Sequence, residues 1–265
     1  MSRSDSNRRT LSEDWSAIAD RIQASRRVVI FLDFDGTLVD IAPRPEQVRL
    51  RSTARKLLQR LAKHPCVDLL IISGRRRREL LEHIGVAGIR YFGIYGFERN
   101  SRSALPRPAS AALRSVRRQL SNLASSFSGL WVEDKQFSLS VHLLAVPPKK
   151  HAQARRAVKS LVRPFRKELR IIRNIRDLEI VPRLIKDKGA AVREVLGKPR
   201  FQKALPFYFG DDLSDESGFR AIPKGMSIQV GPSRPTRARY SLRNPAEVTA
   251  LLAKLEAALS PPTVC

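Results

Sequence analysis

Cysteine is nearly absent, with Cys66 and Cys265 the only two in 265 residues. Two thiols make no disulfide framework, and neither stands at a spacing that would ligate a metal. Aromatic residues are scarce, at 6%, and no stacking motif, finger or helix-turn-helix signature is present. No apolar run is long enough to span a bilayer, so no membrane partner is expected. The first ten residues are polar and basic and lack the apolar stretch of a secretory signal, which makes a cytoplasmic location the expectation. Acidic residues are few beside basic ones, 25 against 50, for a formal net charge of +25. Such a balance raises a nucleic-acid partner as one reading. The basic residues are spread along the chain, however, and the densest run, Arg76-Arg77-Arg78, suits a solvated helix start. Specific nucleic-acid binding is therefore not expected, although nonspecific adhesion to polyanions at low salt is. A positive field would also draw in a small anionic substrate.

What the chain does have is a soluble, globular composition, 42% hydrophobic and 28% charged, and enough length for a substantial core. Val28-Val29-Ile30-Phe31-Leu32 is a short apolar run of the kind that forms a buried parallel strand. It feeds directly into Asp33-Phe34-Asp35-Gly36-Thr37. The carboxyl ends of strands in open α/β sheets are where ligands bind, and two close carboxylates repel unless a cation or a shared proton offsets the charge.

The alternation continues downstream. Helical spacing over residues 11–24, with Ser12 and Asp14 as caps, follows a lead over residues 1–10 that reads as disordered. After the first strand come a helix over 52–64, a strand over 67–72 ending in Ser73-Gly74-Arg75, a helix over 76–83 and a strand near 89–94. Residues 101–110 are rich in Pro, Ser and Arg and read as a linker. Beyond them the pattern is a helix (111–124), two strands (130–135, 137–146), a helix (149–165) and two short strands (169–173, 177–181). Alternation then resumes with a helix (189–196), a strand (206–209), a helix (214–221), a strand (226–230) and a last helix (246–259). The fold class expected is α/β, a Rossmann-like core with a parallel sheet and an inserted small α+β cap. Its divisions are an N-terminal lead and helix over 1–27, the core over 28–100 and 183–265, and the cap over 101–182. No internal repeat is present, and nothing in the sequence assigns an oligomeric state.

Four segments fall at strand-to-loop or loop-to-helix junctions: Asp33 with Asp35, Ser73, Lys188, and Gly210-Asp211-Asp212-Leu213-Ser214-Asp215-Glu216. Singly, Ser73 reads as a helix cap, Lys188 as a solvated helix-start residue and the acidic cluster as a capped helix start. Together and in this order they fit phosphoryl transfer through an aspartyl phosphate. One carboxylate attacks phosphorus, and a second protonates the leaving oxygen and then deprotonates water. Carboxylate and phosphate are both anionic, so a hard divalent cation must bridge them, and Mg²⁺ favours oxygen ligands of this type. Ser73, Thr37, backbone N–H groups and the Lys188 ammonium can hold the non-bridging phosphate oxygens.

These motifs resemble those of the haloacid-dehalogenase-like phosphatases: DFDGT, the Ser of IISGR, the Lys of DKG, and GDDLSDE. The resemblance extends to the trehalose-6-phosphate phosphatase family through FLDFDGTLVDI at 31–41, GIYGFER at 93–99, VEDK at 132–135, EIVPRLIKDKGAAV at 179–192, FGDDLSDESGF at 209–219 and GMSIQVG at 225–231. It implies that Asp33 is the nucleophile and Asp35 the acid/base. It also implies that Asp33, the Asp35 carbonyl and Asp211 hold Mg²⁺ with Asp215 nearby, and that Glu133, Lys135, His142 and Glu179 contact the sugar. The implied substrate is a small sugar phosphate, trehalose 6-phosphate. Tyr95 replaces the His of the family's Gly-x-His-Gly, and His142-Leu143-Leu144 replaces His-Tyr-Arg. Both departures lie on the substrate-recognition side, so another sugar or glycosyl phosphate is the rival within the class. A basic nucleic-acid-binding protein on a catalytically silent scaffold is the rival outside it.

Overall fold

Every residue of Val28–Leu32 is buried, because this strand lies inside a parallel sheet and has no solvent face. The computed structural model describes residues 11, 13–100 and 103–259, and the lead expected over residues 1–10 lies outside them. In chain order the elements are α1 (Trp15–Ala24), β1 (Val28–Leu32), α2 (Ser52–Lys63), β2 (Val67–Ile72), α3 (Arg77–His83), β3 (Arg90–Phe92), α4 (Arg107–Ala124), β4 (Trp131–Asp134) and β5 (Leu139–His142). They continue with α5 (His151–Val162), β6 (Leu169–Arg173), β7 (Asp177–Pro182), α6 (Lys188–Leu196), β8 (Leu205–Gly210), α7 (Glu216–Ala221), β9 (Met226–Val230), β10 (Tyr240–Leu242) and α8 (Pro245–Ala258).

Several expectations need correction. The first helix begins at Trp15, and Asp14 at its N-cap makes no side-chain capping bond; its carboxylate accepts the Tyr240 hydroxyl at 2.9 Å instead. Helix α4 starts at Arg107 with a proline in its first turn, so part of the expected linker is helical. Proline suits that turn because its missing N–H would have no helical partner there. The strand expected over 137–146 stops at His142, where a turn closed by the Val146 N–H on the Leu143 carbonyl takes over. Strand β10 was not anticipated.

The chain divides into two compact units, Met1–Gly96 with Asp187–Cys265, and Phe97–Lys186. The first holds a six-stranded sheet in the order β10-β9-β8-β1-β2-β3, with every pairing parallel. Side chains alternate along β1. Ile30 and Leu32 join a core with Ile18 and Ile22 of α1, Leu58 and Leu61 of α2 and Leu252 of α8. Val29 and Phe31 join another with Val192 and Val195 of α6 and Phe219 of α7. Ile30 and Phe31 are fully buried, and each such side chain contributes about 1.5–3 kcal/mol of apolar transfer. Chain progression reverses between β1 and β8, so their carboxyl ends flank a topological switch point.

The second unit is a four-stranded antiparallel sheet, β4-β5-β7-β6. Val141, Leu178 and Ile180 of one face form its core with Val116 and Leu120 of α4 and Val158 of α5, and Val132 packs against it. Among the described residues, no helix is long and apolar enough to cross a membrane.

Candidate active site

The carboxyl ends of β1 and β8 carry the chemistry. The backbone N–H of Asp33 donates to the Phe209 carbonyl at 3.0 Å, locking the end of β1 to the end of β8. Gly36 follows with φ +79°, and a Cβ there would lie 2.2 Å from a carboxylate oxygen of Asp211. Only glycine permits both the left-handed turn and that approach. Asp33, Asp211 and Asp215 are all buried, and each offers a carboxylate oxygen within 4.8 Å of the others.

Lys188, the first residue of α6, answers this charge. It is 2% exposed, with its Nζ 2.8 Å from Asp33 Oδ1 and 2.7 Å from Asp215 Oδ1. Burial alone would lower its pKa, but the charges of Asp215 and Asp33 outweigh that and hold the ammonium above the usual lysine range. Burial pushes the Asp33 carboxyl up to about 7 in the metal-free protein; Lys188 opposes the rise, while Asp215 and Asp35 add to it. Asp215 is fully enclosed. Its Oδ1 also accepts the Tyr208 hydroxyl at 2.8 Å and its Oδ2 accepts the Asp212 N–H at 3.0 Å. Burial, then the Asp215 and Asp33 charges, push the Tyr208 phenol well above its ordinary pKa, so it stays a donor.

Ser73 stands just past the end of β2, 2% exposed, and its Oγ accepts the Arg75 N–H at 3.2 Å. That bond leaves the hydroxyl proton free to donate. Thr37 is fully buried, and its Oγ1 has no hydrogen-bond partner among the described residues. A buried hydroxyl left unsatisfied costs about 1–3 kcal/mol, which a bound oxyanion would offset. The Asp35 carboxylate is gripped at both oxygens by Arg75, at 2.7 and 2.8 Å. Tyr95 is buried in a left-handed backbone (φ 59°, ψ 22°), a conformation that costs a non-glycine residue of order 1–3 kcal/mol. Its N–H donates to the Ser73 carbonyl at 2.9 Å.

The cap candidates also come together. Glu133, Ser140 and Glu179 are cross-strand neighbours, as are Trp131, His142 and Asp177, so all lie on the sheet face opposite Val141 and Leu178. His142 Nε2 lies 2.8 Å from Glu133 Oε2, and its ring stacks on Trp131 at 3.9 Å. Lys135 Nζ is 3.3 Å from Glu179 and 3.9 Å from Glu133. The Ser138 hydroxyl donates to Glu179 at 2.5 Å, and the buried Ser140 hydroxyl has no partner among the described residues. Leu143 packs in the cap core, whereas Leu144 is 55% exposed.

Sequence reasoning missed Arg75 and Tyr208. Arg75 lay within the noted IISGR motif, directly after two residues at a strand's carboxyl end. Tyr208 was hidden as one more large side chain in LPFYFG, although a phenol among apolar neighbours must find a polar partner.

A six-stranded parallel sheet with paired aspartates past β1, a lysine opening α6 and an acidic loop past β8 defines a haloacid-dehalogenase-like fold. A haloacid dehalogenase-like hydrolase from Bacteroides thetaiotaomicron superposes with a TM-score of 0.60 at 16% identity, over 86% of this chain and 99% of its own. The C-terminal domain of Candida albicans trehalose-6-phosphate phosphatase superposes at 0.82 with 20% identity, over 96% of this chain and 99% of its own. The trehalose-phosphatase family model matches residues 31–246, and this chain belongs to that family. A probable trehalose-phosphate phosphatase 4 of Oryza sativa is 32% identical over 245 residues, which is 87% of this chain and 66% of the relative. The chain spans about two thirds of the length of the curated relatives it matches.

Proposed function

We propose that this protein is a Mg²⁺-dependent phosphomonoester hydrolase that converts trehalose 6-phosphate to trehalose and phosphate through an aspartyl phosphate on Asp33. The observation that carries the reading is the buried Asp33–Lys188–Asp215 arrangement at the switch point, in a chain of the trehalose-phosphatase family. A nucleophilic carboxylate held beside a fixed cation is what attack on a phosphate dianion requires.

Asp33 attacks phosphorus, and the bond from phosphorus to the sugar oxygen breaks as Asp35 gives that oxygen a proton. Asp35 then takes a proton from water, which attacks the aspartyl phosphate and releases phosphate and the Asp33 carboxylate. Lys188, Thr37 and Ser73 hold the non-bridging oxygens. The all-oxygen cluster, with the Asp211 carboxylate brought against the Asp loop because Gly36 has no side chain, fits a hard divalent ion. Asp33, the Asp35 carbonyl and Asp211 would hold Mg²⁺, with Asp215 beside them anchoring Lys188. When bound, the ion supplies charge neutralisation between carboxylate and phosphate.

The sugar is read by the polar cap face: Glu133, Lys135, His142 and Glu179. Leu143 in the core and exposed Leu144 bring neither a hydroxyl nor a charge to that face, which favours another sugar or glycosyl phosphate as a second reading. Purified protein incubated with Mg²⁺ and a panel of phosphomonoesters should release phosphate, and a chelator should stop the release. No release from any ester would overturn the class.

Recognition by the cap predicts a selective loss. Glu133→Ala should lower kcat/KM for the sugar phosphate by roughly 10- to 1000-fold, as hydrogen bonds to the sugar go unpaired. Hydrolysis of a small generic ester should stay within a few-fold. If Glu133 only pairs with Lys135 and His142 locally, neither substrate would respond. Parallel losses on both would mean a damaged fold.

A further inference from the structure

Asp35 is not left to find its own orientation. Arg75 presents its guanidinium edge to the carboxylate, Nε donating to Oδ2 at 2.7 Å and Nη2 to Oδ1 at 2.8 Å. A fork of this kind fixes both the position and the plane of a carboxylate, which a point charge cannot do. The Arg75 side chain is 6% exposed, against 34% for Asp35. Further contacts hold the guanidinium. Nη2 also donates to the Pro45 carbonyl at 2.9 Å. Nη1 lies 3.6 Å from Glu79 and 3.5 Å from His83, and the Phe34 ring lies 5.4 Å beneath. The backbone is pinned as well, since the Arg75 N–H donates to Ser73 Oγ and its carbonyl accepts the Ile94 N–H at 2.8 Å. Gly93 permits that packing: a Cβ there would lie 2.8 Å from the Arg75 carbonyl oxygen and 2.4 Å from the Arg77 nitrogen. The arginine is thus the fixed member of the pair and the aspartate the solvent-facing one.

We propose that Arg75 is the positioning residue for Asp35, setting the reach and orientation of its carboxylate toward the leaving-group oxygen. The inference rests on the assignment of Asp35 as acid/base. A buried pair that merely ties β2 to the Asp loop would lose folding and activity without regard to the leaving group. A positioning residue would not, because a proton delivered from a misplaced carboxylate matters for a sugar oxygen and hardly for a nitrophenolate.

The test compares wild type, Arg75→Met, Arg75→Lys and Asp35→Asn by single-turnover release of the leaving group from trehalose 6-phosphate and from 4-nitrophenyl phosphate, with steady-state kcat and KM and thermal melts. Arg75→Met should slow release from the sugar phosphate by roughly 10- to 100-fold, with KM within about three-fold and nitrophenolate release within a few-fold. Arg75→Lys keeps the charge but loses the fork, and should fall nearer Met than wild type. If the Met variant does not fold, the Lys variant carries the comparison. Equal losses on both substrates, or full restoration by Lys, would overturn the proposal. If Asp35→Asn shows the leaving-group difference and the Arg75 variants do not, this inference alone fails. If Asp35→Asn shows no difference, the acid/base assignment fails first.

Discussion

Asp33→Asn should lower kcat by three decades or more, a loss of at least about 4 kcal/mol of transition-state stabilisation, without costing the fold. Asn matches the shape of the carboxylate but cannot attack phosphorus. Stability should move the other way. Burial pushes the folded Asp33 carboxyl up to about 7, from an ordinary value of 3.8. Between those values the folded state therefore binds more protons than the unfolded state, and stability falls as pH rises through that window. Above it the full penalty of a buried carboxylate is present. In chelator-treated protein, Asp33→Asn should melt above wild type at pH 8, and the gap should close as pH falls toward 4. A variant less stable than wild type at pH 8 would show that the Lys188 contact outweighs burial and repulsion.

Lys188→Met should have an effect of similar size on activity and the opposite effect on stability. Methionine fills most of the volume of the lysine stem but removes the cation that pairs with both Asp33 and Asp215. Two enclosed carboxylates then face each other uncompensated. Breaking a buried pair in this way costs about 3–5 kcal/mol, far more than the pair contributes relative to apolar substitutes. Urea unfolding of the metal-free variant should show an unfolding free energy lowered by that much, and activity should fall by at least about three decades. A variant that unfolds with wild type would mean that the carboxylates relax out of the cluster.

Much of the core was legible because the local signal and the tertiary role agree. VVIFL is apolar throughout since β1 is buried on both sides, and the second strand, VDLLII, reads the same way apart from Asp68, which is only partly buried. Parallel strands bring their carboxyl ends to one edge, so residues as distant as Asp33 and Asp211 meet once the strands are identified. β10 was not legible: it has three residues, of which only Tyr240 is buried, too little for an alternation signal. The start of α4 was masked because Pro106 and Pro108 read as linker until the first-turn preference for proline is applied. The grip of Arg75 on Asp35 spans 40 residues and the Tyr208–Asp215 bond hides a polar partner inside an apolar strand. Both are fixed by three-dimensional packing, which periodicity does not encode. Leu143 and Leu144 show the same limit on the cap, since adjacent residues of one type take opposite environments where the strand ends.

The most direct test of the account is kcat/KM for phosphate release, with Mg²⁺, from trehalose 6-phosphate, sucrose 6-phosphate, glucose 6-phosphate and glucosylglycerol phosphate, with Asp33→Asn as the blank. The account predicts that trehalose 6-phosphate ranks first, by at least about ten-fold over glucose 6-phosphate, the margin expected when a second sugar ring finds hydrogen-bond partners. Trehalose 6-phosphate ranking no better than glucose 6-phosphate would contradict it.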